Sequence, residues 1–393
     1  MTLGFVVQRY GETIAGGSET HCRLLAEHLS SQHNVTVLTT CATDYVTWAN
    51  AVPSGETLEG GVRVIRFPVE RPRDLTRFAE ISDAALGGGA SPDDEEAWFR
   101  ENGPDVPELL EHLRRHRGDY DLILFWTFRY ATSFFGLPLV ADRAVLVPTA
   151  EEDAAVELSI LKDFFNLPAG YLFLTPEEQT LVSARAGCAP RVSEVIGMGL
   201  DPVPLSPSPQ PLSPNPYPLT PSPYLLYLGR VDRNKGCHTL FEYFEEYAAT
   251  RPDITLVLAG PAKMRIPDHP RIKALGYVSD EVRHTLLAGA EVVVVPSPYE
   301  SLSIVLLEAW NHSVPALVNG HCKVLDGQVR RANAGLAYRS SREFTAALDY
   351  LLDHASERHA LGLQGLAYVE QEYRWPKVAS RVGSVLERVR TSI

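Results

Sequence analysis

Apolar positions along the chain fall into short continuous runs, separated by stretches in which they recur every three or four residues. Short runs bounded by turn residues predict strands buried on both faces. The wider spacing predicts helices that bury one side. In the first half, strands are predicted at "LGFVVQ" (Leu3–Gln8), "NVTVLTT" from Asn34, "GVRVIRFPV" from Gly61, "DLILFW" from Asp121, "AVLVPT" from Ala144, "YLFLT" from Tyr171 and "RVSEVIG" from Arg191. Helices are predicted at Ser18–Ser31, Val106–Arg117 and Pro176–Ala186. The second half repeats the pattern, with strands at "YLLYLG" from Tyr224, "ITLVLAG" from Ile254, "RIKALG" from Arg271, "AEVVVVP" from Ala290 and "VPALVN" from Val314. Its helices are predicted at Cys237–Thr250, Asp280–Leu287, Ser303–His312 and Arg342–His354. Strand–helix alternation with continuous apolar strands implies a parallel sheet covered on both faces. Its repetition implies two doubly wound, Rossmann-like α/β domains.

Length agrees, since 393 residues exceed what one hydrophobic core organises. The expected division is 1–200, a linker at 201–223 and 224–374. The linker, "DPVPLSPSPQPLSPNPYPLTPSP", has ten prolines, which exclude a helix or a central strand and favour an extended polyproline-type spacer. It nearly repeats every seven residues (PSPQPLS, PNPYPLT, PSPYLLY), which suits a lengthened surface linker better than a recognition tail. A second soft stretch, "AALGGGASPDDEE" from Ala84, reads as a flexible acidic loop.

Composition narrows the function. At 45% hydrophobic and 22% charged, the chain is an ordinary globular protein. A formal net charge of −13 argues against nucleic acid as the main partner and weakens the case for docking on anionic lipid. Cys22, Cys41, Cys188, Cys237 and Cys322 are scattered, without C-x-x-C, as free thiols in a reducing compartment would be. No apolar run reaches the length of a membrane span, and "MTLGFVVQRYGET" reads as a first strand rather than a signal peptide. The expected location is the cytoplasm.

Three groups of residues carry candidate chemistry, each at a predicted strand exit. Gly16 and Gly17 lie between the first strand and its helix, where backbone N–H groups can approach an anion. The pattern is neither G-x-G-x-x-G nor a P-loop. "YLLYLGRVDRNKG" puts Gly229 and Arg230 at the exit of the second domain's first strand, and Lys235 just before a helix. A planar guanidinium and a compact ammonium there suit a diphosphate. "SPYESLSIVLLEAW" follows a buried strand, with Glu300 at its exit, Ser301 or Ser303 as the helix N-cap, and Glu308 inside an apolar helix. A buried carboxylate is costly unless hydrogen-bonded or paired, and sugar hydroxyls supply such bonds.

These motifs together, Gly16-Gly17, "GRVDRNK" and the Glu-x7-Glu of "ESLSIVLLEA", resemble the retaining GT-B glycosyltransferases of the large family 4 class. The resemblance covers nearly the whole chain. It implies two Rossmann-like domains facing a central cleft, with a nucleotide-diphosphate sugar (UDP-, GDP- or ADP-linked) held mainly by the second. By that resemblance Arg230 and Lys235 contact the donor diphosphate, Glu300 the transferred sugar and Glu308 the ribose hydroxyls. Backbone N–H groups of Leu302, Ser303 and Ile304 line the sugar-phosphate site, the base lies near Gly276, Tyr277 and Val278, and the Gly16-Gly17 loop closes over the diphosphate. The C-terminal stretch, with a helix at 375–393, resembles the helix that crosses back onto the first domain. The acceptor is a hydroxyl of a sugar or small molecule, and no metal or other cofactor is implied.

The chain departs from the family in two places. The family often has Gly where Ser303 stands. Many members also place a His at the end of a first-domain strand, whereas this chain has none between His116 and His238. At the corresponding exits it offers Trp126, Thr127 and Arg129, then Glu151, Glu152 and Asp153, the last three reading as a solvated loop. Asp119-Tyr120-Asp121 has the letters of a metal-binding D-x-D, but it precedes its strand, whereas metal-diphosphate carboxylates belong at the exit. Two rivals remain: a phosphorylase on the same fold, using free phosphate, and a catalytically silent sugar-nucleotide-binding protein.

Overall fold

The computed structural model describes residues 1–14, 16–203 and 223–393. Most of the proline-rich stretch therefore lies outside the described residues. The chain divides into two compact units, Met1–Gly199 with Trp375–Ile393, and Leu200–Arg374.

The first unit runs β1 (Thr2–Val6), α1 (Gly17–Leu29), β2 (Asn34–Thr40), β3 (Gly55–Glu59), β4 (Val62–Phe67), α2 (Leu75–Leu86), α3 (Pro92–Asn102), α4 (Pro107–His116), β5 (Leu122–Trp126), α5 (Ala131–Gly136), β6 (Ala144–Val147), α6 (Leu161–Phe164), β7 (Gly170–Phe173), α7 (Pro176–Ala186) and β8 (Ser193–Val195). Its sheet order is β3-β4-β2-β1-β5-β6-β7-β8. Every pairing is parallel except β3 with β4. Leu122 to Trp126 are wholly buried, as a central strand covered on both faces requires. The C-terminal helix Trp375–Arg390 completes this unit by burying Trp375, Val378, Val382, Val385, Leu386 and Val389 along one stripe. Trp375 stacks on His28 of α1 at 3.5 Å between ring centres.

The second unit runs β9 (Tyr224–Leu228), α8 (Cys237–Thr250), β10 (Thr255–Ala259), β11 (Ile272–Gly276), α9 (Asp280–Gly289), β12 (Val292–Val295), α10 (Ile304–Asn311), β13 (Ala316–Asn319), α11 (Lys323–Ala332), β14 (Gly335–Tyr338), α12 (Ser341–Asp353) and α13 (Ala355–Glu372). Its sheet, β11-β10-β9-β12-β13-β14, is parallel throughout.

Both sheets are doubly wound, and in each the first strand sits where the winding reverses. After β1 the chain moves outward to β2 and returns to β5 on the other side. After β9 it moves to β10 and returns to β12. The crevices outside the carboxyl ends of β1/β5 and β9/β12 are thus the two switch points, where open α/β sheets bind ligands.

The structure corrects the reading of the acidic stretch from Ala84 to Glu96. It is the end of α2, a short turn and the start of α3, not a long loop. Ser91 and Asp94 form a reciprocal capping box, Pro92 opens the helix, and Asp93 to Glu95 complement its positive end. The antiparallel hairpin strand β3, strand β14 and helices α2, α5, α6, α11 and α13 were not read from the sequence. Helix α2 fully buries only Ala85, with Phe78, Ile81 and Leu86 packed partly buried against the core.

Candidate functional site

In the second unit the chain leaves β9 through Gly229, whose amide donates to Ala259 O at 2.9 Å. Tyr227 Oη donates to the Arg230 carbonyl at 2.6 Å and fixes the turn. Asp232 does two things there: its carboxylate pairs with the Arg230 guanidinium, and its Oδ1 accepts the Lys235 amide at 2.8 Å. Gly236 then starts α8 at φ 75°. A Cβ there would sit 2.2 Å from the Pro296 carbonyl, so glycine is needed both for the left-handed turn and for the close approach to the exit of β12.

That approach brings the two motifs together. Lys235 Nζ donates to Glu300 Oε1 at 2.8 Å, across 65 residues of sequence. The side chains are 33% and 13% exposed, so the pair is half open to solvent. Ser303 is the N-cap of α10, its Oγ accepting the Leu306 amide at 3.4 Å. The Ser303 amide donates to Gln328 Oε1 at 3.0 Å, so of the three amides from Leu302 to Ile304 the middle one is committed to the protein. Gln328 is wholly buried on α11, and its Nε2 makes no hydrogen bond among the described residues.

Glu308 lies on the second turn of α10 and pairs with Arg283 of α9. Burial raises its pKa above the usual carboxylate range, and the Arg283 guanidinium opposes the rise. Gly276 ends β11 at φ 67°, Tyr277 is 79% exposed, and Ser279 caps α9 directly after Val278. The segment expected to meet the base therefore leads within two turns of helix to the partner of Glu308. Asp232, Arg283 and Gln328 are additions that sequence reading did not single out. Asp232 had a local signal, a turn-forming carboxylate three residues before a helix-entry amide. Arg283 and Gln328 each reach a partner 25 residues away and had none.

The first unit's switch point is built differently. Gly16 precedes α1, and a Cβ there would fall 2.2 Å from the Glu19 carboxylate. That carboxylate accepts Arg9 Nε at 2.9 Å and Ser18 Oγ at 2.7 Å, while Arg9 Nη1 donates to Thr43 O at 3.0 Å. The glycine loop thus lies directly on a buried ion pair. Beside it, Trp126 Nε1 donates to His21 Nδ1 at 3.0 Å, so His21 carries its proton on Nε2 and donates to Gly197 O at 2.9 Å. Burial lowers its pKa to about 4 and keeps the ring neutral.

At the exits of β5 and β6, Thr127 and Thr149 adopt left-handed backbone, φ 57° and 45°, costly for β-branched residues. Arg129 bridges the two exits by donating to Asp153 Oδ2 at 2.6 Å, and Asp153 also accepts the Ala155 amide at 3.1 Å. Asp153 is therefore a fixed, paired group and not part of a solvated loop. Asp121 accepts the Thr2 amide at 2.7 Å ahead of β5, so the D-x-D letters serve strand entry. Among the described residues no group of three or more His, Cys, Asp and Glu side chains could hold a metal, and no helix is long and apolar enough to cross a membrane.

Residues 222–354 match the family of Glycosyl transferases group 1. Over nearly its whole length the chain is similar to the glycogen synthase of Mycobacterium tuberculosis, 23% identical over 402 aligned positions covering 98% of this chain and 94% of that protein. Among solved structures, sucrose-phosphate synthase from Thermosynechococcus elongatus superimposes with a TM-score of 0.71 at 17% identity, covering all of both chains. HepE from Anabaena, solved in complex with UDP-glucose, gives 0.68 at 16% identity, covering all of both chains. The chain has the GT-B fold.

Proposed function

We propose that this chain is a retaining, metal-independent glycosyltransferase that moves a sugar from a nucleotide-diphosphate donor to a hydroxyl acceptor. The observation that carries this reading is the Lys235–Glu300 contact of 2.8 Å at the exits of β9 and β12. It joins a diphosphate-type cation pair and a sugar-type carboxylate in one crevice, at the switch point of a doubly wound sheet. The match of residues 222–354 to group 1 glycosyl transferases supports it.

The chemistry is departure of a nucleoside diphosphate from an anomeric carbon. Negative charge grows on the leaving oxygen, and Arg230 and Lys235 are the cations that stabilise it. The amides of Leu302 and Ile304 at the start of α10 add the positive end of a helix. Glu300 accepts from hydroxyls of the transferred sugar, Glu308 accepts from the ribose, and Gly276 to Val278 meet the base. In the first unit, Gly16 and Gly17 at the start of α1 are by themselves candidates to present amides to an anion. Retention follows from front-face substitution, with a diphosphate oxygen taking the acceptor's proton. The five free cysteines suit a reducing compartment such as the cytoplasm.

A thermal-shift screen against UDP-, GDP- and ADP-sugars tests the reading. A donor present at 100 times its Kd stabilises by about 2.7 kcal/mol, a shift of several degrees. One of the three should give it. Turnover of that donor should survive EDTA and give a product anomer of unchanged configuration by NMR. No shift with any donor overturns the assignment, and an inverted anomer overturns retention.

A further inference from the structure

Glu308 has one partner among the described residues. Its Oε1 pairs with Arg283 Nη2, while its Oε2 makes no hydrogen bond. The side chain is only 13% exposed. Arg283 is also incompletely used: its Nε is buried without a hydrogen-bond partner among the described residues, and Asp280 Oδ1 stands 3.9 Å from it. Asp280 and His284 share α9 with Arg283, and His312 caps the far end of α10. His284 Nδ1 and His312 Nε2 lie 2.9 Å apart and share one N–H, so this neighbouring pair satisfies itself. Burial first, then His284 and Arg283, lowers the His312 pKa to about 4. His312 therefore adds no charge beside Glu308 near neutrality.

We propose that Arg283 is a positioning residue for the donor's nucleoside: it grips Oε1 of Glu308 and presents Oε2 to the ribose hydroxyls of a nucleoside diphosphate. The inference rests on the ribose role of Glu308. The chemical need is specific. A ribose diol offers two O–H donors, and an ionised carboxylate, an acceptor with no proton of its own, takes both in charge-assisted bonds. Burial works against ionisation, and the nearby Asp280 carboxylate adds to the opposition. Arg283 is the cation that opposes both, and its planar fork fixes the carboxylate's orientation as well as its charge. An aliphatic or neutral residue at this position would leave a buried carboxyl free to take up a proton and turn from acceptor to donor.

The sign of the pH effect follows. Donor binding needs ionised Glu308, so affinity falls as pH drops through its pKa. Without Arg283 that pKa rises, and the fall begins at higher pH. Calorimetry on the full chain uses as probe whichever of UDP, GDP and ADP binds most tightly, titrated from about pH 5 to pH 8.5. The nucleotide's own phosphate titration is common to every variant and cancels in the comparison.

Arg283→Gln should weaken binding about tenfold near pH 6, recover partly at the alkaline end and move the midpoint upward by about one pH unit. Arg283→Lys should restore most of the midpoint. Glu308→Gln should bind weakly at every pH with no Glu308-dependent slope. A merely structural Arg283 would lower the melting temperature and leave the midpoint where it is, and that result overturns the proposal. Unchanged affinity in Glu308→Gln overturns the ribose role itself, a distinct failure. Lack of binding by all three nucleotides overturns both.

Discussion

Each unit places a cation–carboxylate pair at the carboxyl edge of its sheet, beside its switch point, and the two pairs differ in access to water. Lys235 and Glu300 are 33% and 13% exposed, and Arg9 and Glu19 only 8% and 6%. A half-open pair can trade its partner for a ligand, because water and screening already weaken it. A closed pair cannot, because stripping one partner leaves a charge buried and uncompensated. A cation–glutamate pair at the edge of the sheet is thus open to exchange in one unit and a closed brace in the other. The brace lies against Gly16, where a Cβ would fall 2.2 Å from the Glu19 carboxylate, so the closed pair requires the glycine beside it.

The largest effect expected from this contrast is in the open crevice. Lys235→Ala and Arg230→Ala should each lower transfer by about 10²–10³-fold, the scale of losing one preorganised charge at a developing anion. The melting temperature should stay within a few degrees, since partly exposed pairs contribute little to stability. Product formation by chromatography and unfolding by circular dichroism read the two quantities separately. Transfer at near wild-type rate in both variants sinks the assignment. Unfolding of either variant erases the contrast.

The second unit's site was legible because its residues are close in sequence. Gly229, Arg230 and Lys235 fall in one strand-exit motif, and Glu300, Ser303 and Glu308 in another, so strand prediction alone placed them on one edge. The approach of Gly236 to Pro296, and the long-range partners Arg283 and Gln328, have no such local signal. The first unit was opaque because its partners are distant: Trp126 reaches His21 across 105 residues and His21 reaches Gly197 across 176. A buried histidine satisfied on both nitrogens has no periodic or local signature. The same holds for Glu178, whose carboxylate gathers the amides of Ala150 and Leu174 from the exits of two strands. The acidic run before α3 was misread for another reason. Asp and Glu in a first helical turn look like a solvated loop unless the Ser91 cap and Pro92 are weighed with them.

The closed pair gives the second test. Glu19→Gln leaves the Arg9 guanidinium buried against a neutral amide, and should cost about 3–5 kcal/mol of stability. The loss should appear as a lower midpoint in urea with an unchanged slope. Donor affinity, measured where the variant is fully folded, should fall far less than in Lys235→Ala. A variant with wild-type stability and abolished donor binding would reverse the roles given to the two pairs.

The smallest effect concerns Ser303, one of the two positions where the chain departs from the sequence pattern it resembles. The structure employs its hydroxyl in capping α10 and its amide in holding Gln328, so both polar groups face the protein. Ser303→Ala should therefore cost about 1 kcal/mol, the usual value of a lost N-cap, and Ser303→Gly only a few tenths. Neither should change which sugar is transferred, because a hydroxyl turned into the helix start is not available to discriminate hydroxyls of a donor. Competition between two donor sugars of the same nucleotide, compared as a ratio of kcat/KM, isolates that point from stability. A change in the ratio in Ser303→Ala beyond about threefold, roughly 0.65 kcal/mol, would mean that the serine reads the sugar as well as capping the helix.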